Sequence, residues 1–242
     1  MRLLFTFQYL GTRYAGWQSQ TNAVGVQDVI ESVLEKMYAT KVRIEGAGRT
    51  DAGVHAHAQK AHCDVPFEIP FRGLVRGMND LLPHDIRATA VEAVPDEFHC
   101  RFRAKKKTYV YRIWNDEVMD VFRWETHAHA RQSLDESLMR EAIAGVTGKH
   151  DFRAFTVAEP EVSSTERTIS ALDLERDEKE ITIRVAADGF LRFMVRRIAG
   201  SLIEIGRGKL DSDALRRSLE PEFAPARWTA PARGLTLESI EY

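Results

Sequence analysis

The sequence predicts an α+β protein of two halves, each built on an antiparallel sheet with helices on one face, and three observations lead to that class. Short stretches alternate apolar and polar residues in the manner of strands, and between them lie stretches whose apolar residues recur every three or four positions. The order through the first hundred residues is strand, helix, strand, strand, helix, strand, an order that favours layered α+β packing. The same theme returns in the second part of the chain, in pattern and not in letters. A length of 242 residues, 44% hydrophobic and 29% charged, suits two small cores as well as one large one. The boundary is expected near residues 95 to 105, giving halves of 1–100 and 101–242.

Taken in order, Arg2 to Leu10 sets Phe5, Phe7 and Tyr9 against Leu4, Thr6 and Gln8, a strand pattern. A loop punctuated by Gly11, Gly16 and Gly25 follows. Val26, Val29, Ile30, Val33, Leu34 and Met37 then form one greasy helical face, with Asp28 and Glu31 near its positive end. Lys41 to Glu45 is extended, and Val54 to Val65 alternates again, so residues 46–53 connect two strands. Leu74 to Leu82 reads as a helix ended by Pro83, and Ile86 to Val94 as a strand. In the second half, Lys107 to Trp114 is aromatic and β-branched. Ser133 and Glu136 have the spacing of a capping box before Leu138, Met139, Ala142 and Ile143. Ile169 to Leu174 and Ile181 to Val185 alternate as strands. Phe190 to Ile205 reads as a long helix stopped at Gly206, and Leu235 to Tyr242 as a last strand.

Composition narrows the function classes. No apolar run approaches the roughly 20 residues that cross a bilayer, and the N-terminus lacks an apolar core with a cleavage site, which leads to the expectation of a soluble cytoplasmic protein. Cys63 and Cys100 stand in no C-x-x-C spacing, so no disulfide framework or cysteine-based zinc motif is expected. A formal net charge of −2 argues against a uniformly basic coat and leaves room for a local basic patch.

Two stretches can carry chemistry. In "EGAGRTDAGVHAHAQ", residues 45–59, Asp51, His55, His57 and nearby His62 offer metal ligands, since residues two apart on a strand face one side. A polar loop with glycines at positive φ is the plainer reading. A third reading makes Asp51 a nucleophile or base, because an ordinary aspartate is ionised at neutral pH and Gly46, Gly48 and Gly53 allow the tight path that would present it beside Arg49. An orienting cation could come from "FLRFMVRRIAGSLIEIG", where Arg192 and Arg196 lie four apart among apolar residues and would be costly there unless paired. The second stretch, "FHCRFRAKKKTYVYRIWN" at 98–115, has Arg101, Arg103, Lys105, Lys106 and Lys107 followed by Tyr109 and Tyr111 on one strand face. Cations beside aromatics suit phosphate contact and base stacking; a solvated charge run leading into core tyrosines fits the pattern equally.

"GAGRTDAGVHA" at 46–56 resembles the signature of the tRNA pseudouridine synthases of the TruA type. The likeness runs through "YLGTRYAGWQSQ", "VQDVIE", "MNDLLPHDI", "FHCRFRAKKKTYVYRIWN", "HDFRAF", "MVRRIAGSLIEIG" and "PARGLTLESIEY" in the family's order, over nearly the whole chain. The resemblance implies two ferredoxin-like halves whose sheets join across a central cleft, and a homodimer that binds tRNA. It implies isomerisation of uridine to pseudouridine in the anticodon stem-loop, around positions 38 to 40, with no cofactor and no metal. By matching motif it makes Asp51 the catalytic aspartate and Arg196 the arginine that pairs with it. Tyr109 becomes the tyrosine that stacks on the target base, and Arg49 the residue that displaces the target nucleotide. A guanidinium beside Asp51 would favour its charged form. Arg192 falls outside the matched motif. Cys100 and the dense basic run around it depart from the expected pattern. Two competitors remain: an RNA-binding relative without catalysis, and a metal-dependent hydrolase using Asp51, His55 and His57.

Overall fold

Strand β1, Arg2–Tyr9, lies between two antiparallel neighbours, and that position explains its burial. Leu3, Phe5 and Phe7 are fully buried on one face. The opposite face is covered too, with Leu4 and Thr6 buried and Lys60 Nζ donating to Thr6 Oγ1 at 2.7 Å, so the simple alternation read from the sequence understates the strand. The computed structural model describes residues 1–157, 163–220 and 226–242, and the chain divides into two units, Met1–Lys105 with Thr236–Tyr242, and Lys106–Leu235.

In the first unit β1 is followed by α1 (Val26–Tyr38), β2 (Ile44–Gly46), β3 (His55–Asp64), α2 (Phe71–Leu81) and β4 (Ile86–Val94), the expected order. β4 and β3 flank β1 antiparallel, and β2 pairs antiparallel with the far half of β3, Ile44 opposite Cys63. Strand order β4-β1-β3-β2 with two helices is ferredoxin-like. Helix α1 buries Val26, Ile30, Val33, Leu34 and Tyr38, each large side chain worth about 1.5–3 kcal/mol when removed from water. Its start is held by Asp28, whose Oδ2 accepts from Gly25 N at 2.7 Å.

The second unit holds β5 (Lys106–Asn115), β6 (Ala128–Ala130), α3 (Glu136–Ala144), β7 (Gly148–Asp151), β8 (Glu166–Asp177), β9 (Glu180–Ala187), α4 (Met194–Gly206) and α5 (Ala214–Arg217). β5, β9, β8 and β7 are neighbours in that order and pair antiparallel. Strands β6 and β7 give little sequence signal because they are three and four residues long.

Several expectations need correction. The last strand, β10 (Leu235–Glu241), stands almost wholly with the first unit: Thr236 and Leu237 pair parallel with His55 and Ala56, and Glu241 O accepts from Lys105 N at 2.8 Å. β3 has ten residues, so β2 takes one end and β10 the other. With β6 parallel to β5, antiparallel pairing dominates but is not universal. Helix α3 is capped by Asp135, whose Oδ1 accepts from Ser137 N at 2.9 Å and Leu138 N at 3.3 Å; the Ser133–Glu136 spacing falls short of the true start. Helix α4 begins at Met194 and not at Phe190, because Phe193 sits in the left-handed region at φ 64° and interrupts the spiral. No helix among the described residues is long and apolar enough to cross a membrane. Cys63 and Cys100 are both buried thiols.

Candidate active site

The turn that carries Asp51 is held from below by the segment after β1. Thr50 is buried, its Oγ1 lies 2.9 Å from Tyr9 Oη, and its carbonyl accepts from Trp17 N at 3.1 Å. Beyond Asp51, Gly53 N donates to Tyr14 O at 3.3 Å, and Val54 N donates to Asp51 O at 3.1 Å to close the turn. Gly53 takes φ +79°, as a glycine there was expected to do. Two more glycines matter for the neighbouring segment. A Cβ on Gly11 would overlap Val54 O, and Gly16, at φ +95°, would thrust one into Thr50 O. The backbone on both sides of Asp51 is thus fixed by contacts to residues 9–17, and Asp51 itself is half-buried. Arg49 is exposed and its Nε donates to Gln18 Oε1 at 3.3 Å.

The histidines of the same stretch do other work. His55 is buried, and its Nδ1 accepts from Gly11 N at 2.9 Å, which places its proton on Nε2 when neutral. His57 is exposed with Nδ1 3.0 Å from Glu238 Oε2. Although the two are at strand spacing, they differ in burial and in partners, and they do not gather with Asp51 into a ligand cluster among the described residues. Sequence reasoning passed over Tyr9, Gly11, Tyr14, Trp17 and Thr50 as parts of the site; the signal for the first four was the glycine and aromatic spacing of "YLGTRYAGW".

Tyr109 and Arg196 belong to the second unit. Tyr109 lies on β5 opposite Val185 and is 7% exposed, with the Phe190 ring edge-on at 5.1 Å and 87°. Tyr111, its partner at strand spacing, is a core residue that donates from Oη to Pro231 O at 2.9 Å, and burial raises its pKa. The core-tyrosine reading therefore holds for Tyr111. Arg196 stands in the first turn of α4. Its Nε donates to Ala230 O at 2.9 Å, its own carbonyl accepts from Ala230 N at 2.9 Å, and its guanidinium lies 5.3 Å from the centre of the Phe193 ring. Arg192 lies outside the helix, which was expected to run from Phe190; both guanidinium groups approach the same Phe193 ring, Arg192 at 4.9 Å. Residues 190–196 thus connect the Tyr109 ring to Arg196 through Phe190, the left-handed Phe193 and the start of α4. A left-handed phenylalanine costs about 1–2 kcal/mol, and such strain recurs at functional sites.

The basic run is open to solvent at its start. Arg101, Phe102 and Arg103 are exposed, Phe102 by 76%, and the Arg101 guanidinium lies 5.8 Å from the Phe102 ring centre. An exposed aromatic between two arginines presents a π-face and cationic charge together.

The family model described as tRNA pseudouridine synthase matches residues 6–103 and 142–242. A "tRNA pseudouridine synthase A 2" of Bacillus cereus is 39% identical over 239 residues, 98% of each chain. "tRNA pseudouridine synthase A" of Myxococcus xanthus is 38% identical over 243 residues, covering 100% of this chain and 92% of that one. Among solved structures, a Cbf5-Nop10-Gar1 complex aligns with 84% of this chain and 45% of that chain, at 12% identity and a TM-score of 0.37, too low for any argument about fold. The family match takes in Arg49 and Asp51 in its first stretch and Arg196 in its second, and full-length relatives approach 40% identity: the chain belongs to the tRNA pseudouridine synthase family.

Proposed function

We propose that the protein isomerises uridine to pseudouridine in the anticodon stem-loop of tRNA, around positions 38 to 40. The observation that carries this reading is the turn 49–54, which pins Asp51 through Thr50 and Gly53 to the segment 9–17 in a chain of this family. In the reaction the C1′–N1 glycosidic bond breaks, the base rotates and C1′ bonds to C5. The proton at C5 leaves and N1 gains one, so the product is an isomer and no redox partner is needed. Asp51 supplies the carboxylate that attacks the ribose or the ring, or that takes a sugar proton to begin elimination; one anionic oxygen serves each route. Arg196 is proposed to pair with it, a role for which Lys is a poor substitute because a guanidinium can hold both carboxylate oxygens.

The target uridine has to leave its stack, at a cost of a few kcal/mol. Arg49, exposed at the edge of the turn, is proposed to take the vacated space, and Tyr109 to receive the base. Tyr109→Phe is expected to retain tRNA binding and slow turnover; an unchanged rate would reduce the residue to a stacking surface. The resemblance also favours a homodimer, for which light scattering should return about twice the 27.5 kDa chain mass.

The test is to incubate the protein with unmodified tRNA transcripts and map pseudouridine by chemical modification and primer extension. New pseudouridine confined to positions 38 to 40 supports the proposal. Product elsewhere on the tRNA overturns the positional assignment, and no product overturns the activity. A catalytically silent RNA-binding relative would bind the same transcripts and leave every uridine unchanged.

A further inference from the structure

We propose that His62, His99 and Cys100 form a binding site for a thiophilic divalent cation, zinc in the first instance, apart from the isomerase chemistry. One donor atom from each of the three lies within 4.8 Å of the others, and they form the one such group of three among the described residues. His62 Nδ1 stands 3.1 Å from Cys100 Sγ, and both residues are buried. His62 belongs to β3, a strand paired on both sides, so it is a rigid ligand. His99 sits in the turn that follows Phe98 N→Pro95 O, with its ring centre 4.8 Å from that of His62. A fourth donor is at hand: Glu45 Oε2 lies 3.2 Å from His99 Nε2. Two imidazoles, a thiolate and a carboxylate are ordinary zinc ligands.

Loading requires small, definable changes. Zinc bonds of about 2.0–2.3 Å in a tetrahedron place ligand atoms about 3.3–3.8 Å apart. The widest separation must therefore close by about 1 Å, a motion open to His99, which is 29% exposed on its side chain. Cys100 gives up the proton it now directs at Glu45 O, 3.1 Å away, and His99 turns Nε2 from Glu45 Oε2 to the metal while Nδ1 keeps its contact with Arg101 N. Binding releases the thiol proton to solvent. The bound ion would tie the turn at 95–100 to β2 and β3, one residue before the basic run begins at Arg101. Cys100, the departure from the family pattern, acquires a reason to be there.

The experiment uses the full chain, reduced and stripped with a chelator, titrated with zinc chloride in calorimetry and with cobalt(II) in the near ultraviolet. One zinc per chain, proton release and a sulfur-to-cobalt charge-transfer band are expected. Cys100→Ser should abolish the band, and Cys100→Ser and His99→Ala should each weaken binding at least about tenfold. No zinc uptake at equimolar concentration, or equal affinity in His99→Ala, overturns the site. Because Cys100 is fully buried, His99→Ala decides the matter if Cys100→Ser fails to fold. The readout is independent of pseudouridine formation, so failure of either proposal leaves the other standing.

Discussion

Thr50 shows how a residue without chemistry of its own can position one proposed to supply it. Its hydroxyl meets Tyr9 Oη at 2.9 Å and its carbonyl takes Trp17 N, so the peptide leading into Asp51 has little freedom. Thr50→Val keeps the shape and removes the hydroxyl contact; it should cost about 1 kcal/mol in denaturant unfolding and lower kcat about tenfold with KM nearly unchanged. A rise in KM with kcat unchanged would count against a positioning role. Asp51 and Arg49 stand out in the sequence because glycines and charge crowd around them. Thr50, Tyr9 and Gly11 were not, since their contacts join residues about forty positions apart and periodicity reports only local order. The histidines misled for the opposite reason: a regular spacing proved to be one buried acceptor for Gly11 N and one exposed partner of Glu238.

Element boundaries followed cap chemistry that spacing alone did not resolve. Asp135, not Ser133, opens α3, so Asp135→Ala should lower stability by about 1 kcal/mol while Ser133→Ala leaves it nearly unchanged. A reversed result in paired melts would restore the capping box. At α4 the apolar period continues back to Phe190, and nothing in a period announces that Phe193 turns left-handed. The strands β1, β3 and β4 were legible nearly to the residue, because their apolar patterns end at turn residues. A buried element also sets a pH response. His127, just before β6, lies with Nε2 3.2 Å from Glu180 Oε2, and Arg123 and Arg112 also face it. Burial lowers its pKa below 6.5 and outweighs the opposing pull of Glu180. The unfolded chain then binds more protons than the folded one as pH falls below 6.5, so stability declines in that window. Unfolding free energy measured from pH 7.5 to 5 should fall, with a shallower slope in His127→Gln; an equal slope in both would contradict the assignment.

For the molecule as a whole, the mixed α+β class was legible from the recurring element order, and the chain divides into Met1–Lys105 with Thr236–Tyr242, and Lys106–Leu235. The return of residues 236–242 to the first unit was not legible, because a strand's pattern does not name its neighbour. A net charge of −2 requires any RNA footprint to be local, and the exposed Arg101–Arg103 stretch is the proposed part of it. The logarithm of tRNA affinity should fall linearly with the logarithm of salt concentration, with a slope of about 0.7–0.9 per phosphate neutralised. Arg101→Ala with Arg103→Ala should make that slope shallower by about one to two, measured by filter binding; an unchanged slope would remove these residues from the footprint. The central claim is that Asp51 is the catalyst, and it is tested most directly by tritium release from tRNA whose uridines are labelled at C5. Wild-type protein should release tritium and Asp51→Asn, folded and still binding tRNA, should release none above background; equal release from both would contradict the account.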